Sequence, residues 1–302
     1  MSRALWIEII AGLLYVFVIG PIGGGLLSGL DRLVSARMQG RQGPPIRQAF
    51  FDLSKLFQKR AGIVNHFQSI LVVGHMVFVV FTGILIYTGN DFLLSLFTLT
   101  LGEMFFCMAA ASASGPYSGM GSQRELVQLM CTEPMLLIMA IGFYLSTTLD
   151  AGTSGSFMVR ALIHAEVPAI IRMPGMFIGF LTILIVELRK SPFDVSTSHH
   201  AHQEMVKGIT TDLSGNIMGI TEMTEWYEEA LMFTIVGLFF IDRHPVSILW
   251  AVLAALAVFF LENLIDNVFP RVKWETMFKT CWVSTFVFGG SNLLVLLLLV
   301  NR

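Results

Sequence analysis

The chain has 302 residues, 55% of them hydrophobic and only 13% charged, with a formal net charge of −2. Its mean hydropathy is +0.72. A soluble domain carries about a quarter charged residues, so the composition argues for a polytopic membrane protein and against a water-soluble enzyme. The near-neutral balance points to neither nucleic acid nor a strongly anionic partner. Cys107, Cys131 and Cys281 lie far apart, which argues against a disulfide framework and against an iron–sulfur cluster held by this chain alone.

A membrane span needs about 20 mostly apolar residues. Eight segments qualify, at 4–27, 66–88, 92–113, 131–149, 173–189, 222–241, 246–264 and 280–300. The expected fold is therefore an all-α, polytopic helix bundle forming a single membrane domain. The first apolar run is too long for a typical signal peptide and reads as a retained span. Lys and Arg gather in the loops after spans one, three, five and seven. The positive-inside rule then places those loops in the cytoplasm and both termini outside. Segment 155–172 is too short to span and reads as an amphipathic helix on the outer face.

Between the first two spans, the basic stretch "SARMQGRQGPPIRQAFFDLSKLFQKR" turns at Gly-Pro-Pro and continues with Asp52 and Lys55 among aromatic and aliphatic residues. It reads either as a positive anchor on lipid phosphates or as a helix lying under a partner. Loops 28–65, 112–133 and 190–221 are the expected docking loops.

Ionisable groups at membrane depth are costly and are functional candidates. Glu103 falls inside the third span, Glu133 opens the fourth and Glu187 ends the fifth. Glu222, Glu225 and Glu229 share one helix face at the start of the sixth. Carboxylates crowded in a water-poor interior couple to one another and can exchange protons, as a relay requires. Glu228, Glu229, Glu262 and Asp266, at span ends, read first as headgroup-layer residues.

The run "SPFDVSTSHHAHQEMVKGITTD" stands out from its apolar flanks. Ser191, Pro192 and Asp194 resemble a capped helix start. His199 with His202, or His200 with Glu204, has chelate spacing. No second ligand cluster accompanies them, so no metal is assigned to this chain.

Together these motifs resemble NADH dehydrogenase subunit 1 of respiratory complex I, its bacterial counterparts, and its relatives in membrane-bound [NiFe] hydrogenases. Arg41, Gly43 and Pro44, followed by Asp52, Lys55 and Leu56, match the family's first-loop turn. Arg124, Gln128 and Glu133 keep its R-x3-Q-x4-E spacing, and Glu187 to Asp194 its E-x3-S-P-F-D. Glu204, Asp212 and Glu225 follow in register. The family's dense acidic run after "PFD" is replaced here by "VSTSHHAHQE", which looks like the energy-converting (Ech-type) hydrogenase branch.

The resemblance implies a membrane anchor and coupling subunit with no catalytic residue and no cofactor of its own, in a prokaryotic plasma membrane. Its implied partners are [NiFe] hydrogenase large and small subunits, an iron–sulfur subunit and an antiporter-like membrane subunit. Those partners would hold the [NiFe] centre and clusters and oxidise ferredoxin. Glu103, Glu133, Glu187, Asp194, Glu204, Asp212 and Glu225 would carry H⁺ or Na⁺. Arg37, Arg41, Gly43, Pro44, Asp52, Lys55, Arg124, Gln128, His199, His200 and His202 would lie on the docking face. The alternatives are a quinone-binding complex I subunit, a formate hydrogenlyase subunit and, from another class, a stand-alone transporter.

Overall fold

A computed structural model describes residues 3–60, 62, 65–113, 115–151, 155–190, 192, 193, 196 and 207–301. Asp194, His199, His200, His202 and Glu204 lie outside the described residues, so the structure does not bear on them.

The described chain is helical, with two isolated bridges in place of sheet. Helix α1 (Arg3–Leu14) runs through a π-helical stretch, Tyr15–Gly24, into α2 (Gly25–Met38). Helix α3 (Gln48–Gln58) follows the Gly-Pro-Pro turn. Helices α4 (His66–Tyr87) and α5 (Phe92–Ala111) form an antiparallel hairpin. Its turn uses Gly89 at φ +75°, and the Asp91 side chain caps α5 by accepting from Leu94 N. Helix α6 (Pro116–Ala151) is followed by the short α7 (Val159–Ile163) and α8 (Ala169–Arg172), then by α9 (Pro174–Glu187). Helices α10 (Gly215–Leu238), α11 (Ser247–Val268), α12 (Trp274–Ser284) and α13 (Ser291–Val300) complete the bundle. A π-helical turn at Thr285–Gly290 joins α12 to α13.

Each of the eight expected segments falls on a helix. Among the described residues, six helices are long and apolar enough to cross a membrane: Trp6–Met38, His66–Tyr87, Phe92–Ala111, Pro116–Asp150, Ser247–Val268 and Trp274–Val300. Helix α9 is apolar, but its 14 residues span only about 21 Å, short of a bilayer core of about 30 Å. Helix α10 has the length, and its glutamates set it apart from the six.

Several boundaries differ from expectation. The fourth helix starts at Pro116 rather than 131, so most of the expected docking loop 112–133 is helix; proline suits a first helical turn. Among the described residues of loop 28–65, those outside helices are the stretch around the Gly-Pro-Pro turn and residues 59, 60, 62 and 65. Segment 155–172 forms two short helices instead of one amphipathic helix. In "SPFD", Pro192 and Phe193 do not begin a helix. Phe193 bridges Val272, whose N–H donates to Pro192 O at 2.7 Å.

The core sits where α6, α9 and α10 meet. Met135, Met139, Phe143, Met176, Phe180 and Ile235 are fully buried there. Helix α10 is packed by the π-helical stretch, α2, α3, α4 and α11. That close approach needs glycine: a Cβ on Gly24 would stand 2.2 Å from the Trp226 carbonyl oxygen, and one on Gly20 2.1 Å from the Tyr227 ring. The outward faces of α4, α11 and α13 expose Ile70, Val77, Trp250, Leu253 and Leu298. The buried set instead includes His75, Glu103, Glu125, Gln128 and Glu262. Polar groups inside and apolar groups outside is the arrangement a bilayer selects.

Candidate functional site

Helix α9 ends in a Schellman motif. Lys190 N–H bonds Ile185 O and Arg189 N–H bonds Val186 O, with Arg189 at φ +53°. Glycine usually occupies this left-handed position, and a side chain there costs about 1 kcal/mol or more. The contacts of the guanidinium offset that cost. Arg189 donates from Nη1 to Glu225 Oε1 on α10 and from Nη2 to Glu125 Oε1 on α6, both at 3.0 Å. Its Nη2 stands 3.9 Å from Glu103 Oε2 on α5, and its guanidinium carbon lies 5.2 Å from the centre of the Phe106 ring. Ser196 Oγ donates to the other oxygen of Glu125 in a short hydrogen bond.

Lys190, the next residue, donates to Asp31 on α2 at 2.7 Å and to Asn263 on α11 at 3.0 Å. Burial alone would lower its pKa. The Asp31 carboxylate, through its charge and its hydrogen bond, together with Glu229 and Glu262, instead holds it above the ordinary value. Two consecutive cations at one helix end thus tie α9 to α2, α5, α6, α10 and α11.

A cavity of about 580 Å³ opens beside this pair. Its walls include Asp31, Arg32, Arg41 and Pro44 from the α2–α3 region, and Glu103, Glu187, Arg189 and Lys190. Helix α10 contributes Glu222, Glu225, Glu228 and Glu229, and α11 contributes Asp266. At its inner end, His75 on α4 stands behind Glu103 and Glu228, with Nε2 at 3.1 Å from Glu228 Oε1.

Of the expected carboxylates, Glu103, Glu187 and Glu225 line this cavity. Glu133 is half-buried on α6 and outside the lining. Asp212 also lies outside it; its carboxylate packs against Gly115, and Oδ2 is buried with no hydrogen-bond partner among the described residues. Of the expected docking residues, Arg41 and Pro44 line the cavity rim, Gly43 packs on Leu33 and Ala36, and Arg37 is exposed on α2. Asp52 pairs with Arg32 at 2.9 Å and Lys55 at 3.6 Å. Gln128 is buried and donates to Val186 O at 3.1 Å, so it fixes α6 to α9 and does not face a partner. Arg124 is half-buried on α6.

The headgroup reading fails for several residues. Glu262 is 2% exposed, and Glu228 and Glu229 face the cavity. Sequence reasoning passed over Glu125, Arg189, Lys190, Asp31 and His75. Arg189 and Lys190 read as ordinary positive flanks of a span. Glu125 carried a signal in its spacing, since it shares a face with Gln128. His75 carried another, as an ionisable residue within a long apolar helix.

Fold and cavity define a class: a multi-pass helical membrane protein with a buried acidic chamber entered beside an Arg-Lys pair. A family model described as NADH dehydrogenase matches residues 10–297. The chain belongs to this family, that of NADH dehydrogenase subunit 1 and its bacterial counterparts. It is similar to hydrogenase-4 component C of Escherichia coli, at 23% identity over 283 residues covering 86% of this chain and 87% of that one. It is also similar to formate hydrogenlyase subunit 4 of the same organism, at 24% identity over 219 residues and 68% of each chain. The H subunit of NADH-quinone oxidoreductase from Dehalococcoides mccartyi is 23% identical over 214 residues, 68% of this chain and 57% of that one. Among solved structures, a chain of the membrane-bound sulfane sulfur reductase, an archaeal respiratory membrane complex, superposes with a TM-score of 0.78. It is 22% identical, with 97% of this chain and 98% of that chain covered.

Proposed function

We propose that this chain is the membrane anchor and energy-coupling subunit of an ion-translocating, energy-converting [NiFe] hydrogenase. Its partners would be the hydrogenase large and small subunits, an iron–sulfur subunit and an antiporter-like membrane subunit. Ferredoxin oxidation and proton reduction would occur in those partners, and H⁺ or Na⁺ would move through this chain's carboxylates. The face bearing α3 and the cavity mouth would be cytoplasmic.

One observation carries the reading: Arg189 is shared among Glu103, Glu125 and Glu225, which come from three different helices. A single cation facing several carboxylates can redistribute among them when the chain around it moves. Each rearrangement changes which carboxylate is left uncompensated, and so which one takes up a proton or cation. Arg189 sits at the start of the 190–221 segment, so docking and redox events on that segment would be felt at the guanidinium. The similarity to hydrogenase-4 component C and formate hydrogenlyase subunit 4 supports the hydrogenase branch, as does the "HHAHQE" replacement of an acidic run. Glu187 on the cavity wall, and Glu133, Asp194, Glu204 and Asp212 by their motif positions, would belong to the same path.

The test begins with gentle solubilisation from native membranes and mass spectrometry of what co-purifies. A [NiFe] large subunit with cluster-bearing partners is expected. A chain that purifies alone, or only with quinone-reducing partners, sinks the reading. In inverted vesicles of the assembled complex, Glu103→Gln should leave hydrogen evolution from reduced ferredoxin running while the ion gradient collapses. An undiminished gradient would remove Glu103 from the path.

A further inference from the structure

His75, at the inner end of the cavity, is 1% exposed, and its Nδ1 lies 3.0 Å from Gly102 O. A carbonyl oxygen can only accept, so Nδ1 carries the hydrogen. In the neutral ring, Nε2 then presents a lone pair. That nitrogen lies 3.1 Å from Glu228 Oε1, an oxygen with no hydrogen-bond partner among the described residues. Two acceptors facing at that distance need either a proton or a metal ion between them. Glu103, 6% exposed, carries a second unbonded oxygen, Oε2, and offers a carboxylate oxygen to the same cluster. One ligand atom from each of the three residues lies within 4.8 Å of the others.

The surroundings favour a metal. A histidine whose far N–H is held by a backbone carbonyl is oriented as metal-ligating histidines are. Phe106 stacks on the ring at 4.8 Å and fixes its plane. One imidazole with two carboxylates suits a zinc-class ion and tells against magnesium or calcium, which take oxygen ligands. Tetrahedral bonds of about 2.0–2.1 Å put ligand atoms about 3.3 Å apart. Nε2 of His75 and Oε1 of Glu228, at 3.1 Å, already stand near that separation, and Glu103 would close by at most about 1.5 Å, within the rotational reach of a carboxylate. The cavity supplies the entry path and the open fourth position, since Glu103 and Glu228 both line it.

Arg189, 3.9 Å from Glu103, repels an incoming cation. Its charge is already engaged by Glu125 and Glu225 at 3.0 Å. Lys190 is likewise engaged by Asp31. Three carboxylates around one guanidinium leave a surplus of negative charge for the ion to meet.

We infer that His75, Glu103 and Glu228 form a binding site for a zinc-class divalent transition-metal ion, entered from the cavity, and that the bound ion immobilises both carboxylates. The sequence had assigned no metal to this chain. The binding claim is independent of the proposed function. Only its consequence, a block of ion coupling, rests on that reading.

The experiment uses the intact complex purified from native membranes, washed with chelator and equilibrated with Zn²⁺ alone. Bound zinc is measured after dialysis, and its ligands by zinc K-edge absorption. The wild-type complex should retain one more zinc per chain than His75→Asn. The difference spectrum should show an imidazole and oxygen ligands. Glu103→Gln should weaken that zinc about 10- to 100-fold. Equal zinc in wild type and His75→Asn overturns the site, as do sulfur ligands in the difference spectrum. Absence of any extra zinc does so too, leaving a shared proton as the bridging cation. Glu228→Gln, measured in parallel, gives the same comparison should His75→Asn fail to assemble. Zinc retention is read on whichever complex co-purifies, so failure of the hydrogenase assignment leaves this test intact.

Discussion

Arg189 and Glu125 meet at 3.0 Å across 64 residues of sequence, joining the end of α9 to α6. Glu125 is 1% exposed, so its carboxylate is not free to be solvated if Arg189 is removed. Breaking such a buried pair costs about 3–5 kcal/mol. Arg189→Gly tests this with the backbone in its favour, because glycine suits the left-handed φ of +53°. The variant should lower the melting temperature of the solubilised complex and abolish coupling. Arg189→Lys, a point charge without the fork, should keep assembly and lose part of the coupling. A fully coupled Arg189→Gly complex would show that the guanidinium contacts are dispensable.

Glu125 and Glu133 lie on the same helix, and only Glu125 is bonded to Arg189. Glu125→Gln keeps the shape, removes one of the two carboxylates hydrogen-bonded to Arg189 and should reduce ion pumping at least about tenfold, the scale of 1.4 kcal/mol, well within a buried pair's worth. Glu133→Gln should slow or uncouple turnover less. Initial rates of gradient formation in inverted vesicles give the comparison. A larger effect at Glu133 would reverse the ranking.

Asp52 sets a pH dependence on α3. Burial by itself raises its pKa, but hydrogen bonds from Gln48 and Arg32, and the charges of Arg32 and Lys55, outweigh that and lower it below the ordinary 3.8. A depressed folded pKa contributes stability above the unfolded value and loses it as pH falls through the folded value. Hydrogen exchange of residues 48–58, corrected for intrinsic chemistry, should therefore be constant down to about pH 5 and rise below about pH 4. Asp52→Asn should show the raised exchange already at neutral pH. Identical profiles for the two proteins would remove Asp52 from the docking of α3.

Gly24→Ala places a methyl group 2.2 Å from Trp226 O, backbone that cannot rotate away. Helix α10 must shift, carrying Glu225, Glu228 and Glu229 with it. A cost of about 1–3 kcal/mol is expected. Gly119→Ala is the control, because nothing lies within 4 Å of its Cβ position. Comparing the melting temperatures of the two solubilised complexes checks the contact.

The helices themselves were legible because a bilayer demands long apolar runs, and all eight expected segments fall on helices. Proline and polar residues hid the early start of α6, since residues such as Ser122 and Gln128 read as loop while they are buried against other helices. The glutamates at 222, 225 and 229 were correctly placed on one face, because helical spacing alone fixes that. Their neighbour Glu228 and the distant Glu262 were misread, because hydropathy cannot distinguish a carboxylate facing lipid headgroups from one walled in by protein.

Sequence by itself determined the class, an all-helical multi-pass membrane protein of the NADH dehydrogenase subunit 1 family, and named Glu103, Glu187 and Glu225 as candidates. Composition, periodicity and motif spacing are local properties and suffice for that. Only the tertiary structure decided that Arg189 joins Glu103, Glu125 and Glu225, and that His75 faces Glu228. Those contacts span tens to more than a hundred residues, and each depends on how closely helices pack. Glycines such as Gly24 set that closeness, through backbone approaches that no single segment of sequence records.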